Sequence, residues 1–180
     1  MMRWLVALGF SLGALSLAGV AAGADELPLR KPGLWEMKVV KVGSQLPSVT
    51  MQHCTDATVD KDMVDSVSPL VKRVCSKRDV QKTATGYATD SVCSIGGTSV
   101  TSHSDIVGDF NSAYTVIIQA HLDKGPDQVR DTTTQIDAKW LGQCKPDQKP
   151  GDVVLPGGIK INVKDGGKLE KLKDLFRKKN

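Results

Sequence analysis

Beyond an opening stretch that is apolar almost throughout, polar and apolar positions in this chain tend to alternate with the period of a strand. Leu34 to Val42 reads as a first strand, set off by Pro32-Gly33 before it and Gly43-Ser44 after it. Ser48 to Cys54 reads as a second, with Val49, Met51 and His53 on one face. Thr55 or Asp56 is placed to cap a short helix to about Ser66, with Val59, Met63 and Val67 inward and Pro69 closing it. Lys72 to Thr83 and Tyr87 to Ile95 then flank the hairpin loop Ala84-Thr85-Gly86. Gly96-Gly97, Gly108-Asp109 and Lys124-Gly125-Pro126-Asp127 turn the chain into Thr98 to Val107, Phe110 to Leu122 and Gln128 to Trp140. In the second of these, Tyr114, Val116, Ile118, Ala120 and Leu122 share a face.

Consecutive strands joined by short turns predict a mainly β fold: a curved antiparallel meander or partial barrel of six to seven strands with one short helix. After Cys144 the pattern breaks. Pro146, Pro150-Gly151 and Pro156-Gly157-Gly158 read as linker, with Val153 to Leu155 and Ile159 to Val163 as short extended pieces. A helical tail closes the chain, with Leu169, Leu172, Leu175 and Phe176 on one face among Lys168, Lys171, Lys173 and Arg177. The expected organisation is a leader over 1–24, a β domain over 25–144, and linker with basic amphipathic tail over 145–180.

The opening stretch sets the compartment. Arg3, the apolar run Trp4 to Val20 and the small residues Ala22-Gly23-Ala24 predict a signal peptide cleaved near Ala24, hence a periplasmic or secreted protein. In an oxidising compartment Cys54, Cys75, Cys93 and Cys144 predict two disulfides. No C-x-x-C pair supports a zinc or thioredoxin-like reading. Of three connectivities, Cys75–Cys93 with Cys54–Cys144 is favoured, because Cys75 and Cys93 lie symmetrically about the hairpin loop. Cys54–Cys75 with Cys93–Cys144 is the alternative.

Charge narrows the partner. Asp25 to Lys164 carries 17 basic and 17 acidic residues, and the excess of cations lies in the tail. A neutral body argues against nucleic acid, whose binding needs concentrated Lys and Arg.

Gly33-Leu34-Trp35-Glu36, Gln52-x-Cys54-Thr55 before a helix, Cys75 and Cys93 about a hairpin, and Trp140-Leu141-Gly142-x-Cys144 occur in a characteristic order. On these motifs the chain resembles the domain-of-unknown-function family 3617, small exported Gram-negative bacterial proteins, over about Leu29 to Cys144. The resemblance implies an extracytoplasmic antiparallel β domain with paired cysteines. It implies no activity, since the family brings no catalytic or ligand-binding residues, and it does not extend to the tail.

Candidate chemistry is sparse. His103 with Ser99 or Ser102 is the nearest approach to a hydrolase site, but no nucleophile elbow surrounds either serine. His53, His103 and His121 show no metal-ligand spacing, so neither metal nor cofactor is expected. Trp35, Tyr114, Val116, Ile118 and Trp140 form a candidate ligand or packing face. Lys168, Lys171, Leu172, Lys173, Phe176 and Arg177 form a candidate helix for an anionic membrane surface or an acidic partner. The sequence therefore predicts a non-catalytic binding or interaction module whose partner is a protein or a small apolar ligand. A carrier with a calyx and, behind it, a hydrolase are the alternatives.

Overall fold

A computed structural model describes residues 26–165. The predicted leader and tail helix lie outside the described residues. Nine strands among them form one antiparallel sheet: β1 (Gly33–Val42), β2 (Val49–Thr55), β3 (Cys75–Lys82), β4 (Gly86–Ile95), β5 (Thr98–Asp109), β6 (Ala113–Leu122), β7 (Asp131–Gly142), β8 (Asp152–Val154) and β9 (Lys160–Asn162). Their spatial order is β3-β4-β5-β6-β7-β1-β2-β8-β9. Helix α1 (Ala57–Val74) links β2 to β3, and a single helical turn, α2 (Asp127–Arg130), precedes β7.

The mainly β meander is present, but nine strands replace six to seven and the sheet does not close. The reason is topological. A barrel closing on β3 would need the outer edge of β2, and β8 already pairs there through Gln52↔Val154 and His53↔Val153. The extended pieces expected within a linker thus extend the sheet as β8 and β9.

Three boundaries also differ. Helix α1 continues past Pro69 to Val74. Pro69 lacks the N–H for a bond back along the helix, yet the turn beyond it is closed by the Cys75 N–H on the Val71 carbonyl. Asp56 caps the other end, accepting from the Val59 N–H at 2.7 Å. Lys72 to Val74 are accordingly helix rather than strand. Phe110–Ser112 form a turn, where the Asp109 carboxylate accepts from the Asn111 N–H at 2.6 Å, so β6 starts at Ala113. Gln128–Arg130 belong to α2, so β7 starts at Asp131.

Strand register sorts side chains onto two faces. Trp35↔Trp140, Met37↔Ala138, Tyr114↔Ala138 and Ile106↔Val116 place these residues on the face that α1 packs against. His103, His121, Asp105 and Asp137 alternate with them and lie on the other. Core burial is modest. Trp35, Cys54, Thr55 and Val59 are the largest side chains with essentially no exposure. Both disulfides are those favoured from the sequence: Cys54–Cys144, spanning 90 residues, and Cys75–Cys93, spanning 18.

Candidate binding site

The segment preceding β1 is held across the sheet by two indoles. Trp35 Nε1 donates to the Lys31 carbonyl at 2.8 Å, and Trp140 Nε1 to the Pro32 carbonyl at 3.1 Å. Lys31 Nζ sits 3.6 Å from the centre of the Trp140 ring, a cation–π contact. The two tryptophans become neighbours because β1 and β7 are adjacent in the sheet, not through barrel closure. Trp35 is fully buried and Trp140 half-buried. Gly33 sits at φ +134°, and a Cβ there would collide with the Gly142 carbonyl, so the close approach of β1 to β7 requires glycine.

One residue before Lys31, Arg30 crosses to α1. Its Nη2 and Nε donate to the two Asp60 carboxylate oxygens at 2.6 and 3.0 Å, and its backbone N–H adds a third bond at 2.9 Å. Thr55 Oγ1 donates to Asp60 at 2.6 Å. The Arg30 and Asp60 side chains are only 10% and 8% exposed, so this is a buried pair. Burial opposes charge on both. The mutual hydrogen bonds and charges outweigh it, raising the Arg30 pKa and lowering that of Asp60.

Arg30 Nη2 also donates to His53 Nδ1 at 3.1 Å, which fixes the imidazole as a neutral Nε2–H tautomer. Burial first, and then the Arg30 charge, pull the His53 pKa down to about 4. Its Nε2 is buried without a partner among the described residues. Between pH 6.5 and about 4 the unfolded chain therefore binds a proton that the native imidazole refuses. Stability is expected to fall by about 3 kcal/mol as pH drops through that window. His103, whose pKa is raised chiefly by the Asp90 hydrogen bond, acts mainly above 6.5, and the depressed carboxylates act mainly at the acid end of the window and below it. Urea midpoints from pH 7 to 4 test this. His53→Gln flattens the slope, and a variant that keeps it would show that another group titrates.

Next to this cluster, a cavity of about 360 Å³ opens between α1 and the sheet. Leu27 from the clamped segment, Val71 from α1, and Ile106, Phe110, Tyr114 and Val116 make its apolar wall. Phe110 stacks on Tyr114 at 4.7 Å between ring centres, and Tyr114 reaches Trp35 at 5.6 Å. Arg78, Ser91 and the Cys75–Cys93 disulfide line its other end.

Of the candidate face, Tyr114 and Val116 line this cavity, whereas Trp35 is packed beneath it and Trp140 covers the N-terminal segment. Ile118 shares their sheet face without lining the cavity. His103 is on the opposite face, with Nδ1 2.8 Å from Asp90 and Nε2 3.4 Å from Asp105. Ser102 lies on the cavity face and exchanges a hydrogen bond with Ser91 at 2.8 Å. Ser99 takes its place at the strand end, where its N–H donates to Asp123. The structure thus brings neither serine hydroxyl onto the imidazole. Sequence reasoning missed Arg30, Asp60, Arg78 and Phe110, because partners thirty residues apart leave no local periodicity.

Residues 30–144 match the family described as "Protein of unknown function (DUF3617)". The chain belongs to this DUF3617 family. No curated protein and no solved structure matches it. Within the matched residues, Gly33, Trp35, Trp140 and Gly142 bring β1 against β7, and Cys54–Cys144 locks β2 to the chain just past β7. β8 and β9 lie beyond the matched residues.

Proposed function

We propose that this DUF3617 protein is a non-catalytic binding module of the periplasm or extracellular space, and that it holds a small apolar ligand in the cavity between α1 and the sheet. The cavity carries the reading. It has the size of a small-molecule site and a wall dominated by aliphatic and aromatic groups. Its surroundings are rigid: a buried ion pair fixes one side and a disulfide the other. Two disulfides suit an oxidising compartment.

The test is binding of N-phenyl-1-naphthylamine, a neutral dye whose fluorescence rises in apolar surroundings. Saturable binding to the wild type, weakened at least tenfold by Val116→Trp and unchanged by Ile117→Trp on the opposite face, is the expected result. No saturable binding, or equal loss in both variants, would overturn the reading.

A further inference from the structure

The cavity face is not uniformly apolar; its chemistry changes along the strands. Tyr114, Val116 and Ile106 occupy one end. Toward the other end the register brings Thr89 beside Ser104, then Arg78 beside Ser91 beside Ser102. Ser91 and Ser102 are hydrogen-bonded to each other, and Arg78 makes no ion pair with any described residue. Among the described residues lining the cavity Arg78 is the one cation. Asp90, which also lines it, carries its carboxylate to the opposite face, where His103 holds it at 2.8 Å.

We propose that the ligand is a single-chain alkyl carboxylate, with its chain against Tyr114, Val116 and Ile106 and its head group on Arg78, Ser91 and Ser102. This rests on the binding role given above and adds the ligand's class. A guanidinium with a pair of hydroxyls matches a carboxylate, which accepts two parallel N–H bonds from arginine and further bonds from hydroxyls. One lining cation balances one negative charge, which favours a carboxylate over a phosphate dianion. The dimensions agree. At roughly 30 Å³ per methylene, about the share of a water in the liquid, the cavity of about 360 Å³ has room for one chain of about ten to twelve carbons. The strand from Ser102 to Ile106 covers about 13 Å, the reach of such a chain.

Competition against N-phenyl-1-naphthylamine on the full mature protein tests this, using dodecanoate, dodecanol, dodecyl phosphate and dodecyltrimethylammonium below their micellar ranges. Dodecanoate displaces the dye at concentrations at least tenfold lower than the other three. Arg78→Gln, at an exposed position, brings the potency of dodecanoate down to that of dodecanol. Equal potency of dodecanoate and dodecanol, tighter binding of dodecyl phosphate, or an unaffected Arg78→Gln variant would each overturn the carboxylate assignment while the binding role stands. Failure of the dye to bind at all removes the binding role itself.

Discussion

Cys54→Ala/Cys144→Ala is expected to lose about 4–5 kcal/mol of unfolding free energy, and Cys75→Ala/Cys93→Ala about 3 kcal/mol. The order follows from the chain. The first bridge closes a segment of 90 residues and the second one of 18, so the first removes more freedom from the unfolded ensemble. Location widens the gap. Cys54 is fully buried, and its carbonyl accepts from the Gly151 N–H at 2.8 Å, so the first bridge anchors the route by which the chain returns to form β8. Cys75 and Cys93 are half-exposed at the end of a hairpin whose strands hold six further residue pairs without them. Urea unfolding of both variants decides it. Equal losses, or a larger loss from the hairpin pair, would contradict this assignment of the bridges' roles.

Asp60→Ala is expected to cost about 3–5 kcal/mol, because it leaves the Arg30 guanidinium buried with no compensating charge. Three Arg30 bonds and one from Thr55 end on that carboxylate, so their donors lose their acceptor together. The double replacement Arg30→Met/Asp60→Leu keeps volume and removes both charges, and it is expected to lie within about 1 kcal/mol of the wild type. Equilibrium unfolding of the two singles and the double gives the coupling directly. An Asp60→Ala variant within about 1 kcal/mol of wild type would mean that water reaches the pair.

The strands and turns of the meander were legible because their signals are local. Alternation in Leu34 to Val42 and in Tyr114 to Leu122, with glycines between strands, required no knowledge of distant partners. The hairpin symmetry about position 84 likewise carried one disulfide, and with it the other. What failed was non-local. Pro69 stopped the helix on paper, whereas the turn completed by Cys75 carries it on to Val74. Three-residue strands such as β8 and β9 are too short to show a period, and they exist because β2 has an edge to offer. The candidate site was half legible. Tyr114 and Val116 stand on a visible apolar stripe. Arg78 looks like an ordinary surface cation until the sheet register sets it beside Ser91 and Ser102.

In the proposed function the apolar face beneath α1 receives the ligand. Methyl-resolved nuclear magnetic resonance during titration with dodecanoate checks this residue by residue, since Val71, Ile106 and Val116 report on the cavity and Ile117 on the opposite face. Saturable shifts at the first three, with Ile117 unmoved, are the predicted result; shifts centred on Ile117, or none at the cavity methyls, would contradict it.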